Sequence, residues 1–279
     1  HHPGSYYDFY RDRLMIPQRD RYGRILTFTA RAINAHATIK YINGRESLIY
    51  KKSTSVFGID VAMKAARQSG KVYLVEGAPD VMRLQSLGIA NVVATLSGHW
   101  TKEQLSNFSS FACSLCFIPD SDIPKPGEQF GAGEKFVFEN GRLATEMGFQ
   151  VSVREIPRGD VKQDADSYIT SLDKWNELTE KDFILWYAEK QYASDGTNDE
   201  QLKVISDVCD MLVNVQSDVL QASLLSDLKG KYRKGSVWKG ALTDAARRRQ
   251  EEKRRQANRK SEELRGYNFY RRGNHYYDL

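Results

Sequence analysis

An α/β fold with a largely parallel sheet, led by a β-rich segment and followed by a helical one, is the fold class this sequence predicts. Three observations carry the expectation. Short β-branched apolar runs alternate with helix-length amphipathic stretches between residues 60 and 156, the pattern of buried parallel strands with helices packed over them. Apolar and polar residues alternate on both sides of a turn within 13–31, the period of hairpin strands. Beyond Ser167 only amphipathic helical stretches remain.

The elements follow in order. "RLMIPQRDRYGRILTFTAR" (13–31) reads as two strands around a turn at Arg21-Tyr22-Gly23-Arg24, and a polar, basic stretch, "IKYINGRESLIYKKS", comes next. A helix is expected over 60–68, then strand 71–75, helix 79–87, strand 90–95, helix 101–110, strand 113–119, helix 133–147 and strand 150–156. "DKWNELTEKDFILWYAEKQ", "DEQLKVISDVCDMLVNV" and "QSDVLQASLLSDLKGKY" read as helices with short breaks. The expected division is a partial N-terminal α+β subdomain (1–59), the central α/β domain (60–172), a helical domain (173–265) and a tail towards a downstream region (266–279).

A chain of 279 residues, 41% hydrophobic and 28% charged, can bury a sizeable core and has an ordinary soluble composition. No apolar run reaches the ~20 residues that cross a bilayer, so no membrane role is expected. Three cysteines make no disulfide framework, which points to a reducing, cytoplasmic setting. The opening "HHPGSYYDF" has no initiator methionine and is read as the edge of a segment cut from a longer polypeptide. The net charge of +5 is uneven: Lys229–Arg265 holds fourteen Lys/Arg against five Asp/Glu. Such a run suits a polyanion or is simply a solvated helix face, and the sequence alone leaves both open.

Chemistry concentrates at strand ends. "KVYLVEGAPDVMRLQSLG" (71–88) is an apolar strand closing on Glu76 and Gly77, with Asp80 in the next turn. "CFIPDSD" ends another strand on Asp120 and Asp122, and "KQDADSYI" places Asp164 and Asp166 after the last expected strand. Alternate residues of an extended segment share a face, and clustered carboxylates repel unless a cation neutralises them. A lone Asp-x-Asp is common in loops, and Asp80 alone reads as an acid complementing a helix dipole. Three acidic strand ends together favour oxygen ligands for Mg²⁺ or Mn²⁺, and Gly77 lets backbone approach a ligand closely.

The arrangement resembles the Toprim domain, whose signature is a glutamate after one strand and Asp-x-Asp after a later one. The flanking motifs resemble those of bacterial DnaG-type DNA primases: "RLMIPQRDRYGRILTFTAR", "KYIN", "LIYKKSTSVFGID", "VEGAPDVMRLQSLGIANVVATLSGHWTKEQL" and "DADSYI", over roughly residues 9–190. The resemblance implies an α/β Toprim fold and a nucleotidyltransferase that makes RNA primers on a single-stranded DNA template from ribonucleoside triphosphates. It implies metal ligation, with two ions, by Glu76, Asp120, Asp122, Asp164 and Asp166, with Glu76, Asp120 and Asp122 catalytic and Gly77 and Asp80 in support. It places Arg31, Lys40, Asn43 and Lys52, and more weakly Arg11 and Arg13, against nucleotide or DNA, and a replicative helicase, in trans or fused, as partner. Tyr41 and Tyr50 are either packed rings or stacking platforms. The chain departs from the family after Asp122, where "IPKPGEQFGAGEK" replaces the usual Arg-Ala-Gly and delays the next helix. The alternatives are a Toprim nuclease, or a non-catalytic Toprim module that binds DNA or protein. Cys113 and Cys116, His99, Trp175 and Trp186 are read as core or ordinary loop residues.

Overall fold

The structure, a computed structural model, describes residues 8–273 except 35, 112, 113 and 233. Cys113 and the chain's first and last residues therefore lie outside the described residues. Two compact units divide the chain between Trp186 and Tyr187.

The first unit opens with β1 (Arg13–Arg19), β2 (Ile25–Ala32) and β3 (Tyr41–Asn43), an antiparallel sheet in that order. The expected turn is present: the Asp20 carboxylate accepts the Tyr22 and Arg24 N–H groups at 2.9 and 3.0 Å, an aspartate-capped turn. Next come α1 (Ile59–Ser69), β4 (Lys71–Val75), α2 (Ala78–Ser86), β5 (Val92–Ala94), α3 (Lys102–Ser106), β6 (Ser114–Phe117), α4 (Ala132–Glu146) and β7 (Val151–Arg154). A short α5 (Ala165–Tyr168), α6 (Leu172–Glu177) and β8 (Glu180–Asp182) follow. The second sheet runs β5-β4-β6-β7-β8, parallel except at β8.

Val72, Leu74, Leu115 and Phe117 of the central strands are fully buried, as are Val92 and Val93. Each such side chain contributes about 1.5–3 kcal/mol by leaving water, so the strand order is held firmly. β4 and β6 are direct neighbours, Leu74 pairing with Phe117, and this puts their carboxyl ends side by side.

One element departs from expectation. The stretch 173–191 reads from sequence as helical with short breaks and no strand, but Glu180–Asp182 forms an edge strand on β7. Glu180 accounts for it: its carboxylate takes Lys71 Nζ at 2.7 Å, Ser152 Oγ–H at 2.6 Å and Arg154 Nε at 3.3 Å. Cross-strand partners, not apolar content, hold this strand, and its charges suit an edge.

α7 (Phe183–Gln191) spans the division, and the second unit continues through α8 (Asn198–Leu212), α9 (Asp218–Tyr232) and α10 (Gly235–Gly273). Its core comprises Ile205, Val208 and Leu212 of α8, Leu224 and Leu228 of α9, and Trp238 and Ala245 of α10. No described helix is long and apolar enough to cross a membrane.

Candidate metal centre

Glu76 is the first residue after β4, and Asp120 and Asp122 lie just past β6. Because those strands are adjacent, one oxygen each of Glu76, Asp120 and Asp122 falls within 4.8 Å of the others. The Asp120 N–H donates to Glu76 Oε1 at 3.3 Å. Asp122 Oδ2 accepts the Gly133 N–H at 2.8 Å, so the first turn of α4 directs its partial positive charge at the Asp-x-Asp. The inserted loop makes this approach possible. A Cβ on Gly133 would collide with the Asp120 carbonyl oxygen, and one on Gly131 would stand 2.6 Å from that of Asp122. No side chain fits at either position.

A lysine completes the cluster. An isolated antiparallel bridge joins Ser121 to Gln163, with Ser121 N–H donating to the Gln163 carbonyl at 2.7 Å. It delivers Lys162, whose Nζ lies 2.9 Å from Asp120 Oδ2 and 2.7 Å from Asp122 Oδ1. Sequence reasoning passed over Lys162. Its only signal was a basic residue two places ahead of the acidic pair in "KQDAD".

Charge is stored here at a cost. Burial, then the Asp120 charge, pushes the Glu76 carboxyl up to about 7. The same two causes raise Asp80 to about 7. Burial also raises Asp120, against the opposing pull of Lys162. Lys162 is raised in turn, because its hydrogen bonds to Asp122 and Asp120 outweigh the desolvation that works the other way. An all-oxygen carboxylate set at this spacing fits a hard divalent cation, which would take over from those protons.

Asp80 stands behind the triad. Its Oδ2 accepts the Gly77 N–H and its Oδ1 the Asp166 N–H, each at 3.0 Å, so one buried carboxylate ties the β4–α2 turn to α5. Gly77 has ordinary extended backbone, φ −128°, and its part is that hydrogen bond. The other acidic pair is used differently from the first. Asp164 caps α5, its Oδ1 accepting Ser167 N–H at 2.8 Å and Ser167 Oγ–H at 2.6 Å. Those bonds hold its carboxyl low despite partial burial. Asp166, already helical, pairs with Arg83 Nε at 3.0 Å. Neither belongs to the 4.8 Å set, although Asp164 lines the same cavity.

That cavity, of about 310 Å³, runs from Glu76, Asp80, Asp120, Lys162 and Asp164 to Thr29, Lys40, Tyr41 and Asn43 of the first sheet. Arg31 lies 5.8 Å from the Tyr41 ring centre and Lys40 Nζ 6.0 Å. Asn43 is fixed by the Thr29 hydroxyl, which donates to its Oδ1 at 2.6 Å. Arg31 itself does not line it, and neither do the remaining basic candidates. Arg13 donates to the Ile39 and Lys40 carbonyls at 2.9 and 3.3 Å, so it holds the loop before β3. Lys52 is exposed, its backbone N–H bonded to Glu46. Arg11 is exposed outside the cavity. Tyr50, 1% exposed, is core and offers no ring for stacking. His99 pairs with Glu139 at 3.1 Å, Trp175 and Trp186 are buried, and Cys116 is a buried thiol pushed up to about 12 by desolvation.

Comparison with known proteins matches residues 1–63 to the family "DNA primase catalytic core, N-terminal domain" and residues 73–169 to the Toprim-like family. A DNA primase of Synechococcus elongatus is 33% identical over 165 residues, 59% of this chain and 23% of that protein. This chain carries part of a bacterial DnaG-type primase. It spans about a quarter of the length of the curated primases it matches. The primase likeness extends to solved structures. The Aquifex aeolicus primase zinc-binding and RNA polymerase domains superpose with TM-score 0.62 at 27% identity, over 85% of this chain and 56% of that one. A DnaG primase catalytic domain bound to single-stranded DNA shares the fold at TM-score 0.64 and 23% identity, over 81% of this chain and 70% of that one.

Proposed function

We propose that this chain is part of the catalytic core of a primase, joining ribonucleotides on single-stranded DNA at a metal centre held by Glu76, Asp120 and Asp122. The observation that carries the reading is the convergence of those three carboxylates at the ends of adjacent parallel strands. The reaction joins a 3′-oxygen to the α-phosphorus of an incoming nucleotide and releases pyrophosphate. Mg²⁺ or Mn²⁺, two ions in this reading, would lower the pKa of the attacking hydroxyl and neutralise charge at the phosphates when bound.

The chain's own residues supply position. Glu76, whose carboxyl burial and the Asp120 charge push up to about 7, would give up its proton on ligating a cation, and Asp120, raised by burial against the pull of Lys162, would join it. Lys162 then leaves the two aspartates and stands at the cavity wall, where its ammonium meets phosphate oxygens. Lys40 and Asn43 line the same cavity, and Arg31 stands behind its Tyr41 ring. Asp164 lines the rim, and Asp80 keeps the Gly77 turn and α5 in register. Ribonucleoside triphosphates as substrates, and a replicative helicase as partner, belong to the same proposal and rest on the family resemblance. The intact triad is what a non-catalytic Toprim module has no need of.

Calorimetry with Mn²⁺ tests the centre: the chain binds it, and Asp120→Ala combined with Asp122→Ala weakens binding at least 100-fold. Absence of binding by the unaltered chain removes the metal reading. For the activity, the full-length parent is given single-stranded DNA and ribonucleotides; short oligoribonucleotides are expected, and DNA degradation instead turns the assignment to a nuclease.

A further inference from the structure

Helix α10 continues far beyond its packing. It is 39 residues long, about 58 Å at 1.5 Å per residue, yet among its described side chains Trp238 and Ala245 are the buried ones, and every side chain from Gln250 to Glu263 is exposed. From Arg247 to Lys260 eight basic residues stand against Glu251 and Glu252. Arg247 pairs with Asp244 at 3.2 Å and Arg248 with Asp210 at 2.7 Å. Arg249, Lys253, Arg254, Arg255, Arg259 and Lys260 enter no salt bridge among the described residues.

A helix charged this way repels itself, by a few tenths of a kcal/mol for each like pair four residues apart, unless a counter-charge arrives. The chemistry of that counter-charge is narrowed by what the helix lacks. Ala257 is the only apolar residue between Arg247 and Lys260. A coiled-coil partner needs an apolar seam and a lipid surface needs an apolar face to bury; neither is offered. Charge alone is offered, on a rod whose four-residue steps rise ~6 Å. At its foot a groove of about 550 Å³ sets Arg249 and Lys253 beside Leu242 and Val213, a cationic edge on an apolar wall that accepts a sugar-phosphate strand.

We propose that α10 is a phosphate-binding rod that holds a nucleic-acid backbone without reading its sequence. The inference extends the polymerase reading, since a template-copying enzyme must hold nucleic acid, but it stands on α10 independently of the metal centre.

Fluorescence anisotropy of the full chain with a labelled oligothymidylate, and with a labelled duplex of equal length, between about 50 and 200 mM salt tests it. The comparison is a variant with Arg249, Lys253, Arg254, Arg255, Arg259 and Lys260 all replaced by Gln. The variant is expected to lose at least tenfold in affinity, and its slope of log affinity against log salt is expected to shrink by about 2–4 units. Mn²⁺ binding stays unchanged. Loss confined to one of the two oligonucleotides identifies the form bound. A second variant with the four arginines changed to Lys keeps the charge and retains binding, which separates charge from damage to the helix. Unchanged affinity and slope in the Gln variant overturn the inference, as does failure of the Lys variant to bind. Displacement of DNA by polyglutamate at equal charge concentration overturns it in favour of an acidic protein. Normal DNA binding without Mn²⁺ binding overturns the metal reading alone.

Discussion

The acidic rim of the first unit and the basic run of α10 store charge in opposite ways. At the rim, Glu76, Asp120 and Asp122 come from distant points in the chain, are partly buried, and are brought together by adjacent parallel strands. Burial makes each charge expensive, so protons, a lysine or a cation must offset it. On α10 the charges are close in sequence, exposed, and spaced by the helix itself. Water meets most of their cost, and the energy they hold is small and salt-sensitive. Charge fixed by tertiary topology can therefore do chemistry, whereas charge fixed by a local repeat is suited to attraction.

The contrast breaks most visibly at glycines. Gly133→Ala drives a Cβ into the Asp120 backbone, which cannot yield, and is expected to destabilise the first unit by about 3 kcal/mol and to loosen Asp122. Gly230→Ala in α9 meets open space and is expected to stabilise by roughly 0.5–1 kcal/mol. Urea denaturation read by near-ultraviolet circular dichroism measures both.

The next effect is pH-dependent. Glu76 titrates near 4.5 when unfolded and at about 7 in the fold. Between those values the folded state keeps a proton that the unfolded state has lost, so metal-free stability falls as pH rises through the window. Glu76→Gln removes this slope. The variant is expected to gain on the order of 2 kcal/mol over the unaltered chain between pH 5 and pH 8, and saturating Mn²⁺ closes the gap. A parallel pH dependence in the two proteins would contradict the buried, proton-holding rim.

Lys162→Gln sharpens the same point more gently. With the resident ammonium gone, metal-free stability falls and Mn²⁺ binds several-fold more tightly, because no cation has to be displaced first. Weaker Mn²⁺ binding would make Lys162 a support of the ligands, not their substitute. Smallest of all, Arg254→Gln with Arg255→Gln is expected to change stability by no more than about 0.5 kcal/mol, as an exposed face should.

Much of the first unit was legible because its signals are local. An apolar run that closes on Glu76, or on Asp120 and Asp122, advertises both a strand and something waiting at its end. The Gly-rich insertion correctly delayed α4, which begins at Ala132. Lys162 was not legible, because its partners are created by a bridge to a segment some forty residues earlier. β8 was hidden for the same reason: "EKD" becomes a strand only through what Glu180 meets on β4 and β7. The two acidic pairs look alike in sequence, but α5 begins immediately after Asp164, so its carboxylate caps that helix and Asp166 turns to Arg83. The basic face of α10 was visible at once, and its partner was not, since exposed charge carries no shape.

The lone bridge between Ser121 and Gln163 imposes a parity rule. Lys162 and Asp164 both line the cavity because they flank the bridged residue, and extended backbone turns alternate residues the same way. A slip of one residue would present Gln163 in their place and strip the rim of an ammonium and a carboxylate together. Inserting a single residue between the bridge and Asp164 should therefore be far more damaging than lengthening the preceding loop at Gly159–Asp160, past the Arg158–Glu134 ion pair, where nothing counts odd from even.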